Sequence, residues 1–262
     1  MTLFSFPTFS NASIAFGATA LAFLAIAAAE KPSAPVMDDE SDPHRVATNF
    51  ALGVINALLA VALPLSTIAA AMIATRHQWG LFPLLALPWA AGLVSLLLLR
   101  SLAAYGLHRA SHALPLLWRI HRVHHSDGAF DLSTAFRSHP VEVLLVSPIA
   151  AGIILATGAS VGMVFAVDTI LLLVAMWEHG DLCVPTWAER TLGLVIATPA
   201  QHRVHHAPER ARHDRNFGDT LILWDRLFGT YVEPNGERKV GLVVSGTSDG
   251  LLGQLKAPFA RG

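Results

Sequence analysis

Two pentads with the same residue order, His121-Arg122-Val123-His124-His125 and His202-Arg203-Val204-His205-His206, carry the densest chemistry in the sequence. On a helix, positions i, i+3 and i+4 fall on one face with Cβ atoms about 5–6 Å apart, so each pentad would present three imidazoles together. Each is therefore expected to form one half of a metal site. His108 and His112, spaced i and i+4, add two imidazoles, and His179 in Trp177-Glu178-His179-Gly180 adds one. Imidazole is the commonest protein metal ligand and suits iron, copper, zinc and nickel. Nine such donors overfill a tetrahedral zinc site or the axial positions of a haem iron, so two metal ions are the economical count.

The elements that must position these residues are not those of a soluble domain. Of 262 residues 53% are hydrophobic and 14% charged, and the mean hydropathy is +0.50. Apolar stretches too long for a globular core recur, which reads as an integral membrane protein with an all-α bundle. The net charge of −1 gives no hint of nucleic-acid binding. With Cys183 as the one cysteine, an intrachain disulfide is impossible.

About five apolar segments are expected: residues 11–29, 47–74 with a kink at Pro64, 81–104, and a short hairpin of 141–157 and 160–177. Residues 11–29 resemble a signal peptide but lack its basic start, so a retained first helix is expected. Residues 1–46 divide off as this helix and a polar linker, 47–232 as the membrane domain with its metal cap, and 233–262 as a tail, loosely held beyond Val244. Each hairpin arm reaches about 26 Å, just enough to cross and return. Two crossings put residues 108–125 and 179–206 on one side, where they can converge. Trp187 to Pro199 reads as an amphipathic run in the interface, and the stretch from Asn216 to Tyr231 as a helix with glycine-marked ends.

Arginines gather on the histidine side (Arg100, Arg109, Arg119, Arg122, Arg137, Arg190, Arg203, Arg210, Arg212 and Arg215), against Arg76 alone across the membrane. The positive-inside rule makes that side cytoplasmic and the amino terminus external. A bacterial inner membrane is preferred to the endoplasmic reticulum. His44 and His213 are expected at the surface, and His77 at the opposite membrane face from His108, where it cannot share the metal site.

A zinc protease would carry His-Glu-x-x-His, which is absent, and no nucleotide fingerprint or cysteine cluster occurs, so redox electrons must come from elsewhere. The order His-x-x-x-His at 108–112, His-x-x-His-His at 121–125, Glu178-His179 and His-x-x-His-His at 202–206 resembles the membrane-bound fatty acid hydroxylase and sterol desaturase superfamily. Asn216-Phe217-Gly218 and Trp224-Asp225-Arg226-Leu227-Phe228-Gly229-Thr230-Tyr231 reinforce the resemblance, which covers roughly residues 80–232. It implies a cytosolic di-iron cap on a helical membrane domain. It also implies O2 as co-substrate, a cytochrome b5-like or ferredoxin-type electron donor, and hydroxylation or desaturation of a sterol or fatty acyl lipid.

His139, in an Arg-x-His-Pro element, stands between a tenth ligand and a hydrogen-bond donor behind the ligands, because Pro140 favours extended backbone before it. Glu178 is the first choice among Asp127, Asp131, Glu142, Glu178 and Asp181 for a carboxylate that orients a ligating imidazole. Asp168, inside the hairpin and about 16 Å from His179 along a straight helix, is too far to be a ligand and suits a hydrogen bond to a neighbouring helix or a substrate path. The alternative function is a non-catalytic or zinc-binding membrane protein with a histidine-rich store.

Overall fold

The computed structural model describes residues 9–30, 44–64, 66–237, 239–242 and 250–260. The expected polar linker lies mostly outside them. Among the described residues there is no strand, only an isolated antiparallel bridge between Ile196 and Leu221. The helices outside the cap are α1 (Phe9–Ala29), apolar over Thr19–Ala29 but not counted among the membrane-length stretches, α2 (Arg45–Ala62), α3 (Thr67–His77), the short α4 (Leu81–Leu84) and α5 (Trp89–Ala113), followed later by α7 (Pro140–Thr157) and α8 (Val161–His179). Four helical stretches are long and apolar enough to cross a membrane: Arg45–Leu84, Trp89–Ala113, Pro140–Thr157 and Val161–His179.

Proline sets several of the boundaries. The chain does not bend smoothly at Pro64: α2 ends at Ala62, Leu63 is extended (φ −66°, ψ 133°), and α3 restarts behind Ser66, whose hydroxyl accepts from the Ala69 amide at 3.2 Å. A residue before proline is pushed out of the helical region, and the lost hydrogen bond makes a break the cheaper outcome. Pro88 is the N-cap of α5, which then runs on past residue 104 to carry His108 and His112 in its last turns, whereas the α4 turn has already ended at Leu84. Only Leu114 separates it from Pro115, the first residue of α6 (Pro115–His125).

The end of the bundle far from the histidines closes on two glycines. Gly80 (φ 102°) and Gly158 (φ 72°) are both left-handed, and a Cβ on Gly80 would sit 2.1 Å from the Gly158 nitrogen. This close approach lets the turn before α4 dock on the α7–α8 turn. Small residues from α3 and α7 (Ala70, Ala71, Ala151) pack with Leu96, Met163 and Val164 in the membrane core. Such side chains let helices approach where no water drives them together.

Arg100 departs from the expected distribution. It was expected with the other arginines at the histidine end. It lies within the bundle, 3.0 Å from Asp168, whose second oxygen accepts from Thr67 at 3.1 Å. An ionisable group at this depth is costly unless paired, and the pair ties α3, α5 and α8.

The cap is built from α6, a 3-10 turn (Leu132–Phe136), α9 (Thr186–Leu192), α10 (Pro199–His205), α11 (Arg210–His213), α12 (Leu223–Phe228) and α13 (Leu251–Lys256), which leads into a 3-10 turn (Ala257–Phe259). Part of the segment beyond Val244 is not loose. Leu251, Leu255 and Ala257 pack with Leu52 and Val123, and Arg122 donates to the Ala257 carbonyl at 2.7 Å. Just before this segment the Gly241 amide donates to His206 O at 3.0 Å and the Leu242 amide to His125 O at 2.7 Å, one bond to each pentad. Residues 243–249 and 261–262 lie outside the described part.

Candidate metal centre

Each histidine is placed by a helix terminus. His108 and His112 end α5, His121, His124 and His125 end α6, and His179 ends α8, while His202 and His205 lie in α10 and His206 caps it. All nine are buried. They form two groups, His108, His112, His121, His125 and His205 in one and His124, His179, His202 and His206 in the other, with donor atoms within 4.8 Å of one another. The groups do not follow the pentads, as the sequence suggested. Each pentad is divided between the two, and the groups adjoin where the His125 and His206 rings stack 4.6 Å apart.

The inward-facing atoms are Nε2. In the first group the His112 and His125 Nε2 atoms are 3.2 Å apart, and those of His108, His121 and His205 are buried without a hydrogen-bond partner. In the second, Nε2 separations are 3.2 Å for His124–His179, 2.9 Å for His179–His202 and 3.2 Å for His202–His206. A metal about 2.1 Å from each nitrogen would set ligands at right angles about 3.0 Å apart, so this spacing fits a shared ion.

The opposite ring nitrogens explain why Nε2 is free. The Nδ1–H groups donate to carbonyl oxygens: His108 to Phe217 (2.8 Å), His124 to Arg137 (3.1 Å), His179 to Ala175 (2.7 Å) and His205 to Arg215 (2.8 Å). A carbonyl can only accept, so these rings carry their proton on Nδ1 and keep an Nε2 lone pair for a metal. Burial holds His124, His125, His202, His205 and His206 well below the ordinary imidazole range, and repulsion among neighbouring rings adds to it. They are neutral, as ligands must be.

Carboxylates support the first group. Asp214 lies 3.1 Å from His112 Nδ1, Glu142 3.4 Å from His121 Nδ1, and Asp219 2.5 Å from His108 Nδ1. Of these the sequence had suggested only Glu142. Asp219 follows Asn216-Phe217-Gly218, and Asp214 directly follows His213, so proximity to known motifs was the available signal. Glu178 is fully buried with both oxygens unpaired, 3.9 Å from His202 Nδ1 and 4.0 Å from His179 Nδ1. Asp127 and Asp131 instead pair with Arg45, and Asp181 pairs with Arg203, whose guanidinium covers Phe130.

His139 belongs to neither group. Its Nδ1 accepts from the Val141 amide at 3.2 Å, capping α7, and its Nε2 donates to Leu255 O at 3.2 Å. His213, expected at the surface, is buried against Trp118, stacked at 5.5 Å. Arg137, 1% exposed, donates to Val123 O, Asn49 Oδ1 and Ser126 Oγ and so fixes the carbonyl that holds His124. The stretch from Asn216 is helical only over α12. Before it, the Asp225 carboxylate gathers the amides of Phe217 (2.8 Å) and Gly218 (2.7 Å).

All-helical among the described residues, with membrane-length helices and two buried groups of convergent imidazoles, the structure is that of a multi-pass membrane protein with a histidine-rich site able to hold metal. Within that class the chain belongs to the fatty acid hydroxylase family, whose profile matches residues 93–230, more than half of its length. It is 28% identical over 175 residues to an ornithine lipid hydroxylase of Rhizobium tropici, covering 66% of this chain and 52% of that one. It is 34% identical over 176 residues to an alkylglycerol monooxygenase of Danio rerio (63% and 36%) and 33% over 146 residues to that of Homo sapiens (53% and 30%). The chain thus spans about half or less of the curated relatives it matches. No solved structure matches it.

Proposed function

We propose that the protein is an O2-dependent di-iron oxygenase that hydroxylates or desaturates a C–H bond of a membrane lipid. The observation that carries this reading is the paired convergence of imidazoles: five around one point and four around an adjacent one, with no carboxylate in either group. His108, His112, His121, His125 and His205 would hold one iron and His124, His179, His202 and His206 the other. Two redox-active ions in an all-nitrogen site would supply O2 activation and attack on an unactivated C–H bond, chemistry that zinc lacks.

The chain's own residues do the positioning. Phe217 O, Arg137 O, Ala175 O and Arg215 O orient four rings, and Asp214, Glu142 and Asp219 orient three. Glu142 and Asp219 also line a cavity that reaches His108 and His121 from within the bundle, where a lipid C–H bond can approach without water. In hydroxylation one oxygen atom enters the C–H bond and the other leaves as water, using electrons and protons from outside. A cytochrome b5-like or ferredoxin-type partner supplies the electrons, docking on the cytoplasmic cap marked by Arg190, Arg210, Arg212 and Arg215. The names of the relatives favour a glycerol-ether or amino-acid lipid over a sterol.

The test is metal analysis of protein purified in nanodiscs, then O2 uptake with reductant over a lipid panel. Two irons per chain and lipid-dependent uptake are expected. Stoichiometric zinc, with no uptake on any lipid after iron loading, would replace this reading with the metal-store alternative.

A further inference from the structure

α5 and α7 run antiparallel and leave a groove between them of about 200 Å³. At one end it meets His108 and His121, beside Glu142 and Asp219; at the other it stops at Arg100 and Leu171. Eight residues of α5 separate Arg100 from His108, about 12 Å along the helix. The groove exists because α5 and α7 present Ala103, Ala104 and Ala150 to it. One wall is open to lipid: Val146 and Ile149 line the groove while 46% and 42% exposed.

We propose that this groove takes one hydrocarbon chain of a lipid in its ordinary leaflet orientation, polar end beside Glu142 and Asp219 and chain running down to the Arg100–Asp168 pair. The carbon brought to the histidine centre is then one near the polar end, and the charged floor limits chain length. The inference rests on the lipid-oxygenase reading and adds orientation and regiochemistry to it.

The reverse orientation, methyl end at the histidines and headgroup at Arg100, is disfavoured by charge. Arg100 is paired with Asp168 at 3.0 Å, and Thr67 occupies the second Asp168 oxygen, so the floor carries no net charge to hold a charged headgroup at that depth, although Arg100 Nη1 makes no hydrogen bond. Burying a polar head there without a partner is costly. At the upper end, Glu142 Oε1 is buried without a hydrogen bond, an acceptor for a hydroxyl or ammonium group. Val146 and Ile149 give a sideways entry, so the lipid need not leave its leaflet.

The test uses the full chain in nanodiscs with lysophosphatidylcholine probes carrying a photoreactive diazirine at carbon 3 or carbon 12, crosslinks being mapped by peptide mass spectrometry. The carbon-3 probe is expected to label peptides around 108–111 and 142–146, and the carbon-12 probe those around 100 and 149–153. Ala104→Phe, which fills the groove, should cut both signals at least tenfold while metal content stays at the unsubstituted level. A second variant, Arg100→Leu with Asp168→Leu, removes the floor and should raise labelling by probes with longer chains. Reversed order of labelling, or labelling untouched by Ala104→Phe, would overturn the proposal. Labelling needs no turnover, so correct order without product from any lipid would refute the oxygenase reading alone. Product oxidised at the chain end would refute the orientation alone.

Discussion

Asp225 is the residue through which α12 governs the orientation of His108, a candidate metal ligand. Its carboxylate is fully buried and accepts from the Phe217 amide (2.8 Å), the Gly218 amide (2.7 Å) and the Thr230 hydroxyl (2.6 Å). The Phe217 carbonyl in turn receives the His108 Nδ1–H at 2.8 Å. Asp225→Ala leaves the two buried amides without an acceptor, at about 1–3 kcal/mol each, while the Thr230 hydroxyl can turn to the Tyr105 oxygen at 2.9 Å, and water entering the vacated space offsets part of the loss. A net loss of about 2–4 kcal/mol is expected, on the order of 10 °C in the unfolding midpoint. With Phe217 O released, His108 can rotate, and metal affinity of its group should fall roughly 10–100-fold. Asp225→Asn keeps one acceptor oxygen and should fall between. The assay is hydrogen exchange over residues 214–231, read beside the midpoint and the metal content of the same preparation. Wild-type protection of the Phe217 and Gly218 amides in Asp225→Ala, with full metal content, would refute the reasoning.

Glu178→Ala should weaken metal binding roughly 10–100-fold in the group of His124, His179, His202 and His206, because its carboxylate lies nearest the unpaired His202 Nδ1; competition with a chromogenic chelator measures it, and an unchanged affinity counts against that role. His139→Asn should retain full metal, since asparagine also caps helices and His139 faces neither group, while proteolysis of residues 250–260 speeds up as the bond to Leu255 O is lost. Stripping the metals with chelator should lower the unfolding midpoint in proportion to the logarithm of free metal, because the folded cap alone assembles the imidazoles; a midpoint insensitive to iron would contradict it.

The helical bundle was legible because membrane spans advertise themselves by length and apolarity, and the hairpin of α7 and α8 appears within a few residues of where it was read. Local breaks were less legible. Pro64 was read as a kink within one long helix, yet a kink and a break differ only in whether neighbours re-satisfy the freed backbone, which is a tertiary matter. Arg100 was counted with the arginines of the histidine side because its partner, Asp168, is 68 residues away in sequence. The packing of residues 250–260 was missed for a similar reason: Leu251, Leu255 and Ala257 make a short apolar stripe that means little until Val123 and Leu52 are opposite it.

The nine histidines were legible as a set but not as two groups, and helix geometry accounts for the difference. At about 100° per residue, positions i and i+4 are only about 40° apart, whereas i+3 and i+4 diverge by about 100°. An i, i+4 pair can therefore share one centre while the i+3 ring turns to another. That rule sorts the helical histidines: His108 with His112, His121 with His125 and His202 with His206 each stay together, while His124 and His205 cross over. Each pentad thus links both centres, so the two ions should be lost in a pattern set by angle and not by sequence block. His124→Ala and His206→Ala remove ligands from the same group, and the double variant should retain about as much metal as either single one. His124→Ala with His121→Ala, neighbours in one pentad, should lose both ions. Metal content and the iron Mössbauer signature of the four variants decide it. The reverse pattern, with one ion kept by His124→Ala with His121→Ala and both lost by His124→Ala with His206→Ala, would show that the pentads act as blocks after all.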